Sequence, residues 1–288
     1  MTRYERVADY RSHTGEGPLW HPDEGRLYWV DIPNGDLFRY DPDTDEHEQC
    51  FERDVVGGFT IQDDGSLLLF EDGGRIERWV EGTGTTTVVN GIEGEADSRF
   101  NDVVADPRGR VFCGTMPTDD RPGRLYRLDT DGSVTTVLDE VGLPNGMGFT
   151  LDRRRFYFTD SGNGRIDRYD YDQATGAISN PETVVEVDDG EAIPDGMAVD
   201  AEGYLWSARW DGGCLVRHDP TGAEVARIEF PARKVSSVTF AGPDLSEAYV
   251  TTALTDESRD DEGDGAGALF RFDPDAVGVP EFRSRVQI

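Results

Sequence analysis

Lysine is almost missing from this chain. Lys234 is the only one in 288 residues, and 59 aspartates and glutamates stand against 28 lysines and arginines, a formal net charge of -31. A surface that acidic excludes nucleic acid as a partner, because phosphate backbones are bound by basic side chains. The acids are interleaved with aromatic and β-branched residues along the whole length, which excludes a disordered acidic tail and predicts a folded acidic protein. Acid excess with so little lysine fits a cell that accumulates molar salt, where a Debye length of roughly 3 Å screens the self-repulsion. Cysteine is scarce too. Cys50, Cys113 and Cys214 lie far apart with no CxxC pair, which excludes a disulfide framework and a zinc knuckle and predicts a reducing, cytoplasmic setting. No stretch approaches the roughly 20 apolar residues of a membrane-spanning helix, and "MTRYERVADYRSH" has no apolar leader core. The expected protein is soluble, is not exported and has no membrane partner.

Helical periodicity is also missing, and a different period takes its place. "GDLFRYD", "GRIERWV", "GRLYRLD", "GRIDRYD", "GCLVRHD" and "GALFRFD" begin at Gly35, Gly74, Gly123, Gly164, Gly213 and Gly267. The spacing of about 40 to 55 residues is that of propeller blades. Within each copy the apolar residues alternate with period two, so the copies are strands. Turn residues and an aromatic-rich run precede them, as in "DPRGRVFCGT" and "LDRRRFYFTD", and predict a second strand and a hairpin. The expected fold is all-β, a six-bladed β-propeller filling residues 1–288 as one domain. Either "YERVADY" or "EFRSRV" should supply the outer strand that closes the last blade. The arginines at the centre of each copy, Arg39, Arg78, Arg127, Arg168, Arg217 and Arg271, read as scaffold residues paired with nearby carboxylates.

The phrase "LPNGMGFT" at 143–150 returns as "IPDGMAVD" at 193–200. Both mark the start of the strand that lines the axis in a propeller. The residue just before that strand is, blade by blade, Glu16, Gly57, Asn101, Asn145, Asp195 and Ser236. Sharing one phase of the repeat, they should face one axial opening. Asn-Gly and Asp-Gly are also ordinary turn dipeptides, but Glu16 is no turn former, and convergence from blades 1, 3, 4 and 5 favours a site. Glu, Asp and an Asn amide make a hard, all-oxygen donor set suited to calcium, magnesium or manganese more than to zinc, with zinc and iron kept as alternatives. No histidine shares the phase; His13, three residues before Glu16, reads as a supporting or surface residue.

"GEGPLW", "RFNDVVADPRGRVFCGTM", "LPNGMGFTLDRRRFYFTDSGNGRIDRYDYDQATGAIS" and "IPDGMAVDAEGYLWSARWDGG" together resemble the family of senescence marker protein (regucalcin), gluconolactonase and luciferin-regenerating enzyme, over nearly the whole chain and in order. The resemblance implies one divalent cation held by Glu16, Asn145 and Asp195, substrate contacts from Arg99 and Asn101, and Asp195 as general base. Some members carry an acidic lid residue after "GTM"; here that loop is the short "PTDDRPGR", so lid contacts do not carry over.

The chemistry implied is hydrolysis of a sugar lactone to an aldonic acid, with a pentono- or gluconolactone as the small-molecule partner. A Lewis-acid cation and a nearby carboxylate suffice for it. No Ser/His/Asp arrangement suggests an acyl-enzyme. Two other readings stand beside it: a phosphotriesterase or arylesterase using the same metal geometry, and a non-catalytic calcium-binding protein. Trp210, Asp160 and Met116 are candidate pocket walls, and the acidic insertion 255–265 reads as a solvated hairpin extension, since it lacks the ligand order of a calcium loop.

Overall fold

The computed structural model describes residues 4–187 and 192–288. Six four-stranded antiparallel sheets follow one another along the chain, and each first strand packs against the first strands of the two neighbouring sheets, the last of them against the first, so the sheets form a ring. The architecture is a six-bladed β-propeller. The axial strands are Gly15–His21, Gly58–Ile61, Phe100–Ala105, Pro144–Phe149, Ile193–Val199 and Lys234–Ala241. All six arginine-centred copies form third strands, and every one of these arginines is ion-paired, for example Arg39 with Glu48 and Glu81, Arg168 with Glu182 and Arg271 with Glu5. Their scaffold reading stands.

Between blades the sheets bury aromatic faces. Phe112, Phe149, Phe156 and Phe158 fill the space between blades 3 and 4, and Trp206, Phe230, Phe240, Phe270 and Phe272 that between blades 5 and 6. Truncating such a ring to alanine typically costs about 3–5 kcal/mol. The three cysteines are free thiols, and among the described residues no helix is long and apolar enough to cross a membrane.

The two termini divide the work that sequence offered to either. Tyr4–Ala8 pairs antiparallel with Leu269–Phe272 and completes blade 6. The C-terminal segment instead crosses the face where the axial strands end. Ala201 N donates to Val277 O, Gly278 N to Leu245 O, Ser284 N to Ile61 O and Arg285 N to Gly109 O. Phe282 packs on Phe149, and Arg283 Nη1 reaches Asp23 at 2.6 Å. The strap therefore touches all six blades, on the side opposite the strand starts.

The 255–265 insertion is a hairpin extension, but only part of it is solvated. It contains a single helical turn, Arg259–Glu262. Glu262 is buried and receives the ammonium of Lys234, so the only lysine of the chain fastens the insertion to the start of the sixth axial strand.

Candidate active site

Sequence phase puts Glu16, Asn101, Asn145 and Asp195 immediately before the axial strands; the structure puts them inside, at an irregularity. Strand pairing slips between Glu16 and Leu19, Phe100 and Val103, Pro144 and Met147, Pro194 and Met197, and Val235 and Ser237. Such bulges bend a strand and re-aim a side chain. Blade 2 has no slip in its first pairing and no side chain to aim, since Gly57 lies where a Cβ would stand 2.0 Å from Phe100 O. Gly146 and Gly196, which follow Asn145 and Asp195, are required by close approach: a Cβ would meet Asp195 O at 2.6 Å and Ser237 Oγ at 2.2 Å respectively. The Asn-Gly and Asp-Gly pairs thus let adjacent axial strands touch while the polar side chain faces the axis.

Glu16, Asn101, Asn145 and Asp195 are all buried. Burial pushes the Glu16 carboxyl well above its ordinary range, and the charges of Asp195 and Asp102 push it further, against the pull of Gly17 N and Arg99. Asp195 is likewise raised by burial and by Asp102, against the pull of Arg99 and the Asn145 side chain. Glu16 Oε2 accepts one hydrogen bond, from its neighbour Gly17 N at 2.9 Å. Beside these acids runs a chain of hydrogen bonds. Arg99 Nη1 donates to Asn101 Oδ1 at 2.8 Å, and Asn101 Nδ2 donates to Asn145 Oδ1 at 2.6 Å. Asn145 Nδ2 donates to Ser161 Oγ at 2.8 Å, and Ser161 Oγ donates to Pro194 O at 2.5 Å.

Other expected members fall outside the site. Ser236 Oγ is occupied by Gly15 O at 2.6 Å, a bond that locks blade 6 to blade 1, and by Thr251 Oγ1 at 3.0 Å within blade 6. Asp160 is no pocket wall: it accepts from Leu143 N and Asn163 Nδ2 and shapes a turn. His13 is at the surface near Asp256. Met116 N donates to Arg99 O, a backbone bond only, and the Trp210 ring lies 5.8 Å from the Lys234 ammonium.

Two residues escaped the sequence reading. Asp102 follows Asn101 in the same bulge and lines the axial channel; burial lifts its carboxyl to about 7 against the pull of Arg99. The position after the site residue is Gly17, Gly58, Gly146 and Gly196 in blades 1, 2, 4 and 5, so an acid there in blade 3 was a legible exception. Ser161 lies 16 residues beyond Asn145, at the end of another strand, and only the fold brings it close.

The donor set fits a hard cation. Burial raises the proton affinity of both carboxyls, Asp195 raises that of Glu16 further, Arg99 pulls against both shifts, and a divalent ion between them would offset the repulsion. Among the described residues no three His, Cys, Asp or Glu side chains are grouped to hold a metal; the third donor available here is the amide of Asn145.

Residues 14–254 match the model of the SMP-30/Gluconolactonase/LRE-like region. The chain belongs to that family. Within the SMP-30/gluconolactonase/LRE-like family it is 54% identical to Pentonolactonase XacC of Haloferax volcanii, with 98% of each chain covered. It is 36% identical to Regucalcin of Xenopus laevis over 87% of each. A crystal structure of a regucalcin from Agrobacterium tumefaciens, described as a calcium-binding protein, superposes with a TM-score of 0.89 at 25% identity, covering 99% of this chain and 98% of that one.

Proposed function

We propose that this protein is a divalent-cation-dependent lactonase that opens a sugar aldonolactone to its aldonic acid, working in the cytoplasm of a salt-accumulating cell. The observation that carries the reading is the buried axial set of Glu16, Asn145 and Asp195 with the Arg99–Asn101 pair beside it. Family membership and the high identity to a pentonolactonase support the same chemistry. Glu16, Asn145 and Asp195 would hold the cation. Bound there, it would polarise the lactone carbonyl as a Lewis acid.

The remaining work belongs to the chain. Arg99 has guanidinium N–H groups beyond those its Nη1 spends on Asn101 and Phe100 O, and these can donate to sugar hydroxyls or to the oxygen on which charge develops. Asn101, held by Arg99, can orient the substrate. Asp195 takes a proton from water as its oxygen attacks the carbonyl carbon, and returns it to the ring oxygen as the carbon–oxygen bond breaks. Burial keeps bulk water away from the Glu16 and Asp195 carboxyl groups and strengthens these interactions.

Rates on glucono-, xylono- and arabinonolactone and on a phosphotriester, each with and without chelator, test the reading. Chelator-sensitive hydrolysis of one or more lactones is expected. Turnover of the phosphotriester alone would assign the site to that second chemistry, and calcium binding without turnover would leave a calcium-binding protein.

A further inference from the structure

The hydrogen-bond chain beside the site has a fixed direction. At one end stands Arg99, whose guanidinium can only donate; at the other stands Pro194 O, which can only accept. Every group between is therefore oriented. Asn101 must turn its Oδ1 to Arg99 and its Nδ2 to Asn145; Asn145 must turn its Oδ1 to Asn101 and its Nδ2 to Ser161; and the Ser161 hydroxyl must spend its proton on Pro194 O. The same chain joins blade 3 to blade 4 and ends on the residue before Asp195.

The molecule contains its own comparison. "DIPNG" at 31–35 in blade 1 and "DSGNG" at 160–164 in blade 4 form the same turn at the same place, directly after the second strand. In both, the first Asp accepts from backbone N–H groups preceding the site residue, Thr14 N at 2.9 Å and Leu143 N at 3.1 Å. In both, the Asn donates to that Asp, Asn34 at 2.9 Å and Asn163 at 2.6 Å. In both, the second residue's N–H bonds back across the strand start, Ile32 to Thr14 O and Ser161 to Leu143 O. Both second residues are buried. They differ in chemistry: Ile32 is apolar and Ser161 carries a hydroxyl. The site residues differ in parallel. Blade 1 presents Glu16, whose two carboxylate oxygens are equivalent, so either can face a cation. Blade 4 presents Asn145, whose amide has an oxygen end and an N–H end, and only the oxygen can ligate. The hydroxyl stands where an amide has to be oriented.

We infer that Ser161 is a positioning residue that fixes the Asn145 amide with its oxygen available to the cation, and so sets cation affinity. This rests on the cation site proposed above. A hydrogen-bond partner behind a metal ligand typically contributes 10- to 100-fold in affinity. Calorimetric titration of calcium chloride alone onto the chelator-treated full chain reads it directly. Ser161→Ala should weaken calcium binding by about 10- to 100-fold, with turnover at saturating calcium close to wild type. Ser161→Thr keeps the hydroxyl and should bind as wild type does. Ser161→Cys keeps the volume but offers Asn145 Nδ2 only a weak acceptor and Pro194 O only a weak donor; it should weaken calcium as alanine does, and it serves if the alanine variant does not fold. Undiminished affinity in both Ser161→Ala and Ser161→Cys, beside weakened binding in Asn145→Ala, overturns the role of Ser161 and leaves the site standing. Undiminished affinity in Asn145→Ala as well overturns the cation site and the inference together.

Discussion

Acidic side chains live two different lives in this protein, one on the axis and one on the rim. On the rim they are exposed and meet arginine: Glu81 is lowered first by its hydrogen bond to Arg39, Glu182 by Arg168 and Asp64 by Ser66 and Arg78. On the axis Glu16, Asp102 and Asp195 are raised, burial being the first cause in each. Rim acids are satisfied by the protein that carries them. Axis acids are left with raised proton affinity that the cation proposed above would offset, which is how a candidate site differs from a scaffold built of the same residue types.

The sharpest way to break that contrast is to neutralise one acid of each kind. Asp195→Asn keeps an oxygen of similar reach and removes the capacity to take a proton. Turnover at saturating cation should fall about 10²- to 10⁴-fold, while the cation-free protein gains thermal stability because a buried repulsion is gone. Glu182→Gln on the rim should change neither. Wild-type turnover in Asp195→Asn at saturating cation would make Asp195 a ligand only.

Next in size are the groups proposed to hold the cation and the substrate. Glu16→Gln should lower calcium affinity by at least the roughly 10- to 100-fold expected of an outer partner, and excess calcium should restore much of the rate; an unchanged dissociation constant would remove Glu16 from the ligand set. Arg99→Ala should slow catalysis by about the 1.5–3 kcal/mol typical of a charged hydrogen bond. Because Arg99 also starts the chain that orients Asn101 and Asn145, a smaller loss of calcium affinity should accompany it. Full activity in that variant would make Arg99 structural.

The blade count, the strand period, the ion-paired arginines and the phase of Glu16, Asn101, Asn145 and Asp195 were all legible, because each is a repeat and a repeat is visible in one dimension. Closure was not, because "YERVADY" and "EFRSRV" alternate equally well and only three-dimensional fit gives one to blade 6 and the other to the strap. Ser161 was hidden because its partners lie 16 and 33 residues away. Asp102 was hidden among 59 acids, although the glycines at its equivalent positions mark it as an exception. Glu262 looked solvated within a run of acids until the fold set it against Lys234.

Asp102 supplies a smaller test. Its folded carboxyl titrates near 7, above the ordinary aspartate value, so between roughly pH 4 and 7 the folded cation-free protein binds more protons than the unfolded chain. Stability from this group is complete below that window and is lost as pH rises through it. Asp102→Asn should flatten this descent and raise the cation-free melting temperature at neutral pH by about 2 °C, the shift that roughly 1 kcal/mol gives in a large domain. An unchanged pH profile would mean that Asp102 carries no such penalty.

The smallest effect belongs to the rim, where one arginine among six tests whether pairing or crowding dominates. Arg168 bonds Glu182 at 2.8 Å with that carboxylate largely exposed, and an exposed pair contributes about 0–1 kcal/mol. Yet Arg168 also sits in the field of a chain carrying -31 charges, so removing it deepens an existing repulsion as well as breaking a pair. Both terms are electrostatic and both fade when the screening length falls from about 10 Å at 0.1 M salt to a few ångströms near 2 M. The melting temperature of the unmodified protein should therefore rise between 0.1 and 2 M KCl, and the cost of Arg168→Ala should shrink over the same range. Superimposed melting curves at the two salt concentrations would show that charge crowding does not limit stability. A constant cost for Arg168→Ala would assign that side chain to packing, because its aliphatic stem stays buried against the blade whatever the salt.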